Sequence, residues 1–481
     1  MLEKRQFYIN GAWVDPATPR DLPVIDPSTE EEVAVISLGD SADTDAAVAA
    51  ANAAFPDWSQ TDPADRIALV EKVLEIYERR FEEMAQAMTL EMGAPITLSR
   101  EEQAPSGTGH IKGFLRSAKT FDYVRMLRDN APNDRIIMDP IGTVAMITPW
   151  NWPMNQVTLK VIPALLTGCT MVLKPSEIAP LSSLLFTEFL DEAGVPAGVY
   201  NMVNGDGAGV GSQLSAHPGI DMVSFTGSTR AGIAISKAAA DTIKRVSLEL
   251  GGKGANLVFA DADEEAVRRG VAHMMENTGQ SCNAPSRMLV ERSIYDDAVD
   301  MAREAAENTA VASAHEDGPH IGPLVSQMQW DKVQGLIQTG IDEGARLVTG
   351  GLGRPEGLNR GYFARPTIFA DVTNDMTIAR EEIFGPVLSM IPFDTEEDAI
   401  RIANDTVYGL TNYAQTQDPD RLVRMARKLR SGMVHLNGKS RSGGSPFGGV
   451  KQSGNGREGG VWGLEDYVEV KAVGGYPADR A

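Results

Sequence analysis

The stretch Pro140-Ile-Gly-Thr-Val-Ala-Met-Ile147, running on through Thr-Pro-Trp-Asn-Trp-Pro153, decides the fold. Its apolar run ends among prolines, so a strand stops there and no helix begins before Pro153. From that point the chain alternates regularly. A helix is predicted over 155–166, a strand at Thr170-Met-Val-Leu173, a helix over 181–193 and a strand at Val199-Tyr-Asn-Met-Val203. Another helix, a strand at Met222-Val-Ser-Phe225 and a helix from 230 follow. Repeated βα units of this size predict an α/β, Rossmann-like domain. Its parallel sheet is covered on both faces and binds ligands, by default a dinucleotide, at the carboxyl ends of its strands.

Downstream, a second βα series runs from about 252 to 443, with strands at Ala255-Asn-Leu-Val-Phe259 and Arg287-Met-Leu-Val290 and helices over 264–276 and 294–307. It reads as a second α/β domain. The tail Leu464-Glu-Asp-Tyr-Val-Glu-Val-Lys471 alternates like a strand, and an unpaired terminal strand is a liability, so it is expected to lie on another subunit. Upstream, the Asn-Gly step in Tyr8-Ile-Asn-Gly-Ala-Trp-Val14 predicts a hairpin. An Ala-rich helix follows Asp43, and one long amphipathic helix is expected from Asp62-Pro63 to Gly93, with Ile67, Val70, Leu74, Tyr77, Phe81, Met84 and Met88 on its apolar stripe. Residues 123–138 are polar and lack a helical period, as an extended ribbon or a linker would.

The 481-residue chain can bury two or three domains. Its formal charge of −22 opposes nucleic acid. Two cysteines allow no disulfide framework, the charged start MLEKRQFYING is unlike a signal peptide, and no apolar run approaches the ~20 residues of a membrane span. A cytoplasmic protein is expected, without a membrane or nucleic-acid partner.

Several stretches could carry chemistry. In Glu276-Asn-Thr-Gly-Gln-Ser-Cys-Asn283, Cys282 follows Gly279 and sits on a bend, where it is either an exposed nucleophile or a buried free thiol. Asn151, on the stiff Pro-Trp-Asn-Trp-Pro loop, could donate to an oxyanion or could form an Asx turn. Leu173-Lys-Pro-Ser-Glu177 pairs Lys174 with Glu177 at a strand end, as a ribose site or as a surface ion pair. In Ser224-Phe-Thr-Gly-Ser-Thr-Arg-Ala-Gly232 a strand passes into a helix start suited to a pyrophosphate, with Gly227 at the turn and Ser228 at the helix start. The glycines of 205–211 read as a flexible loop. Glu249, between leucines in Ser247-Leu-Glu-Leu-Gly-Gly-Lys253, is either a desolvated base or a satisfied structural acid.

Taken jointly, PWNWP, LKPSE, FTGST, LELGGK, GQSC, EEIFGP and SPFGGVKQSGNGRE stand in the order found in the NAD(P)-dependent aldehyde dehydrogenases, which nearly the whole chain resembles. The resemblance implies Cys282 as nucleophile, Glu249 as general base, Asn151 with the Cys282 backbone N–H as oxyanion donors, and Lys160 in support. Cofactor contacts are implied at Ile147, Trp150, Lys174, Ser176, Glu177, Gly227, Ser228, Gly251, Glu382 and Phe384, and no metal site is implied. Glu177 would repel a 2′-phosphate, so NAD is expected over NADP, and the presence of Glu249 favours a carboxylic acid product over a coenzyme A thioester. Trp150, Trp152, Gln156, Leu159, Ser281 and Asn283 are expected to face a small-molecule aldehyde, and Arg441 is a candidate to attract an acidic one. The implied domains are a cofactor domain (1–119 and 140–250), a catalytic domain (251–443) and a small β oligomerisation element with the tail (120–139 and 444–481), assembling as a homodimer or homotetramer.

Overall fold

In the computed structural model, which describes residues 1–477, the apolar strands around Pro140 assemble as their patterning predicts. Arg245–Glu249, Met222–Thr226, Thr143–Ile147, Thr170–Lys174 and Tyr200–Met202 lie parallel in that order. The hairpin Phe7–Ile9 with Ala12–Val14, turning on the left-handed pair Asn10 and Gly11, adds antiparallel to the last of them. Period-2 side-chain alternation sends successive residues to opposite faces. Val144 and Met146 pack among residues of the helices Pro153–Thr167 and Leu181–Ala193, whereas Ala145 and Ile147 pack with Val48 of Ser41–Trp58 and Ile235 of Thr229–Ala239. The strands following Thr143–Ile147 add on one side of it until Met222–Thr226 crosses to the other, which opens a crevice beyond Ile147 and Phe225.

A second seven-stranded sheet takes Arg346–Thr349, Thr367–Ala370, Val387–Phe393, Arg287–Glu291, Ala255–Val258, Thr411–Gln415 and Met433–Leu436, parallel except at its first strand. A small sheet of Leu2–Lys4, Glu31–Ser37 and Asp21–Asp26 lies apart from both. Among the described residues no helix is long and apolar enough to cross a membrane.

Three expectations are corrected. The tail strand Val468–Gly474 pairs within its own chain, along all seven residues of Asp134–Pro140, with Val124–Met126 on the far side. Its hydrogen-bonding need is met in cis on one edge only. The single long helix is two, Pro63–Arg79 and Phe81–Met92, because Arg80 (φ −102°, ψ 23°) leaves helical geometry while its guanidinium reaches Glu83 and Glu188 and lies 4.9 Å from the Phe189 ring centre. The glycines of 205–211 form a helical turn, Gly207–Gly211, because the Asp206 carboxylate accepts the Gly209 N–H as a cap.

Candidate active site

Two loops leave the carboxyl edge of the first sheet on either side of its crevice. After Thr143–Ile147 the chain displays Trp150 and Asn151, with Pro153 opening the next helix. After Met222–Thr226, Gly227 donates its N–H to the Glu249 carbonyl at 3.0 Å, and Ser228 caps the helix Thr229–Ala239. The second sheet answers with its amino edge. The loops ahead of Ala255–Val258, Arg287–Glu291 and Val387–Phe393 supply Gly251, Cys282 and Glu382 respectively. The Cys282 thiol thus enters from the amino ends of one sheet to meet the carboxyl ends of the other.

Close approach is secured by glycines. A Cβ on Gly251 would stand 2.6 Å from Glu382 Oε2, and one on Gly279 (φ +70°) 2.1 Å from the Gly385 carbonyl oxygen. The bend that carries the thiol is therefore pressed directly onto the Glu-Glu-Ile-Phe-Gly-Pro segment. Glu382 accepts the Gly252 N–H at 3.0 Å, and burial pushes its carboxyl up. Phe384 adopts φ 62°, held by Gln329 Nε2 donating to its carbonyl at 2.7 Å, and meets Trp150 edge-on at 5.4 Å.

Cys282 is half-buried in a wall shared by two cavities. The smaller, of about 200 Å³, is lined by Trp150, Asn151, Gly227, Ser228, Glu249, Gly251, Glu382 and Phe384. The larger, of about 600 Å³, is lined by Trp152, Gln156, Leu159, Ser281, Asn283 and Phe447 among others. Trp150, expected both as a cofactor contact and facing the substrate, lines the smaller cavity and not the larger, whereas the Trp152 indole lines the larger and donates to Ser281 Oγ at 2.8 Å. Burial, with the carboxylates of Glu382 and Glu249 nearby, pushes the Cys282 thiol up, opposed by the backbone N–H groups of Cys282 and Asn283.

Glu249 ends its strand with both carboxylate oxygens buried and, among the described residues, without a hydrogen-bond partner. Gly448 and Gly456 crowd it, since a Cβ on either would lie 2.7 or 2.8 Å from Oε1. Desolvation pushes its carboxyl well up, Glu458 adds to the rise, and Lys160 opposes it. Lys160 Nζ pairs with Glu458 Oε1 at 2.5 Å in a buried contact. Sequence reading missed Glu458. It lies within the quoted SPFGGVKQSGNGRE segment, where a lone acid among glycines gives no sign that it faces inward. Residues 444–460, grouped with the tail by resemblance, close over Glu249 and contribute these groups.

The remaining expected positions stand further along the same edge. Ile147 and Lys174 are register partners. Lys174 Nζ pairs with Glu177 Oε2 at 2.9 Å, and Ser176 Oγ accepts the Ile178 N–H. None of these lines either cavity at Cys282. Arg441 is at the larger cavity, its Nη1 donating to the Pro446 carbonyl at 2.7 Å and its guanidinium 5.4 Å from the Phe447 ring centre. Cys169 is fully buried, its thiol donating to the Tyr467 carbonyl at 3.2 Å.

A switch-point crevice that shares a wall with a substrate-sized cavity, and has a thiol in that wall, defines a nucleotide-dependent oxidoreductase of α/β build. Comparison with known proteins narrows this. Residues 13–473 match the family model described as the aldehyde dehydrogenase family, and the chain belongs to that family. It is 52% identical, over 99% of both chains, to a 3-succinoylsemialdehyde-pyridine dehydrogenase from a Pseudomonas species. It superposes on an aldehyde dehydrogenase from Bartonella henselae with a TM-score of 0.98 and 60% identity, covering 99% of this chain and 100% of that one. A mutant of aldehyde dehydrogenase C from Pseudomonas syringae, solved with NAD+ and octanal, matches with a TM-score of 0.96 and 46% identity over 98% of this chain and 97% of that one. The protein is an oxidoreductase that oxidises aldehydes.

Proposed function

We propose that the protein oxidises an uncharged aldehyde of medium length to the carboxylic acid with NAD, through a thiohemiacetal and then a thioester on Cys282. The observation that carries this reading is Cys282 in the wall between the two cavities, with Glu249 buried and unpartnered beside it. The smaller cavity fits a nicotinamide ribose. Side-chain-free Gly227 and Gly251 clear its wall, Glu382 can accept from ribose hydroxyls, and the start of the helix Thr229–Ala239 suits a pyrophosphate. Lys174, Ser176 and Glu177 extend this line along the strand ends toward an adenosine ribose, and Glu177 disfavours a 2′-phosphate. Related structures solved with NAD+ support the same choice. When bound, NAD supplies the hydride acceptor.

The chain's own residues do the rest. Cys282 as thiolate adds to the aldehyde carbon, and the resulting oxyanion is met by the Asn151 amide and the Cys282 N–H. A donor of this kind typically contributes about 10²–10³ in rate. After oxidation, Glu249 takes a proton from water, and the hydroxide formed displaces the cysteine sulfur from the acyl carbon. Lys160 and Glu458 set the charge around that base. Glu102, Glu276 and Arg441 all line the larger cavity, so a carboxylated tail would meet acids as well as a base, and an uncharged tail is favoured. The octanal bound by one relative and the pyridine semialdehyde named for another agree with such a tail.

The domain division is the one the two sheets suggest, with the sheet at 124–140 and 468–474 as a β arm whose free edge supports a homodimer or homotetramer. The chain's last four residues, included in that arm by the sequence reading, lie outside the described residues. The test is NADH formation across aliphatic, aromatic and carboxylated aldehydes, with NADP in parallel. Wild type is expected to turn over with NAD, Cys282→Ser to be inactive, and Glu249→Gln to accumulate a covalent acyl adduct by mass spectrometry. Turnover by Cys282→Ser would defeat the proposal.

A further inference from the structure

Asn151 and Cys282 arrive from different sheets, so their relative placement depends on something that bridges the seam. Two buried amides do this. Gln103, on the turn Ser99–Gln103, donates from Nε2 to the Asn151 carbonyl at 3.1 Å and to Asn277 Oδ1 at 3.2 Å. Asn277 donates from Nδ2 to the same Asn151 carbonyl at 3.0 Å and to the Gln280 carbonyl at 3.3 Å. The Asn151 side chain spends one donor on that Gln280 carbonyl, at 3.0 Å, which leaves its second N–H for the cavity it lines. Gln280 itself donates from Nε2 to the Asn277 carbonyl at 3.1 Å and accepts the Val325 N–H at 2.9 Å. All four side chains are buried, and neither Gln103 nor Asn277 lines either cavity at the thiol.

The backbone here is strained as well as bonded. Asn277 (φ 50°), Thr278 (φ 58°) and Gly279 (φ 70°) are three successive left-handed residues, two of them not glycine, separated from Cys282 only by Gln280 and Ser281. Such a run persists only where its surroundings over-determine it. The Asn277 amide and Thr278 Oγ1, which donates to the Gly322 carbonyl at 3.0 Å, are the side-chain anchors that hold it.

We propose that Gln103 and Asn277 are positioning residues for the oxyanion site, a buried amide clamp that fixes the Asn151 amide against the loop carrying Cys282. This rests on the reading of Cys282 and Asn151 given above. The clamp touches no reactant. It acts by keeping one Asn151 N–H engaged and the other aimed, and small misplacements of a catalytic group cost rate steeply.

The test is single-turnover kinetics on Gln103→Met and on Asn277→Gly, which removes the amide but keeps the left-handed backbone accessible. Each is expected to slow acylation 10- to 100-fold, with KM for NAD within about twofold of wild type. In an Asn151→Ala background, where there is no side-chain amide to aim, either change is expected to add less than about threefold. Acylation at the wild-type rate in the single variants would overturn the proposal, as would losses that simply multiply in the double variants. If Asn277→Gly does not accumulate as folded protein, Gln103→Met, which leaves the strained backbone untouched, decides alone. Failure of the underlying reading is separately visible as turnover by Cys282→Ser.

Discussion

Glu249 is the residue whose chemistry most depends on its neighbours. In its proposed role of general base it works only when ionised, and burial together with Glu458 raises the pH needed to ionise it. Glu458→Gln removes a negative neighbour and releases Lys160 from its ion pair, and both changes favour the Glu249 carboxylate. The acid limb of kcat against pH is therefore expected to move to lower pH; a limb that stays put or moves up would show that Glu458 does not tune the base. Cys282, Glu249 and Asn151 could be singled out from sequence because each sits at a turn or strand end flanked by glycine or proline, a pattern that marks displayed groups. Gln103 and Glu458 had no such flag. Their importance comes from partners 174 and 298 positions distant, and no local pattern encodes that.

At the level of elements, alternation and capping chemistry were legible, and helix continuity was not. The strand ends and the helix Leu181–Ala193 follow from apolar runs and breakers, and Gly93 and Gly194 cap their helices left-handed. The break at Arg80 escaped because the apolar stripe keeps its period across it, while the guanidinium's contacts come from elsewhere in the fold. The tail was legible as a strand only over 468–471, since Leu464 and Glu465 close the helix Gly460–Glu465, and its partner was not legible, since alternation specifies faces and says nothing of which edge is met. Its outer edge bears Val470, 67% exposed. The open edge, where Val470 stands between the exposed Glu469 and Lys471, is where a second copy would pair, and a further lysine in place of the valine opposes pairing. Val470→Lys is expected to shift the protein toward monomer by light scattering, with its circular dichroism unchanged. An unaltered assembly state would remove this edge from the interface.

Across the whole molecule, the site exists only where the strand ends of two sheets meet, and on the second sheet's side of that meeting Gly279 packs the Cys282 bend onto the segment that carries Glu382. Alanine there must adopt φ +70° and push against the Gly385 carbonyl, whose oxygen lies 2.1 Å from the added carbon. The conformation alone costs about 1–3 kcal/mol. Gly279→Ala is expected to lower the half-inactivation temperature by several degrees and to depress kcat more than tenfold, because the bend moves relative to both Glu382 and Asn151. Retention of full activity would mean that the seam tolerates slack. Two α/β units were readable from their separate βα rhythms. That the first offers its carboxyl ends and the second its amino ends was not, since polarity across an interface is a property of docking and not of either pattern.

The shared wall has a consequence for traffic. On the reading proposed above, a sulfur atom reachable from two chambers can receive the aldehyde from one side while the carbon it holds gives up hydride toward the other, so the two reactants need not share a doorway. On that reading, occupancy of one vestibule need not block the other, and the carrier would be free to exchange while a half-finished product stays tethered.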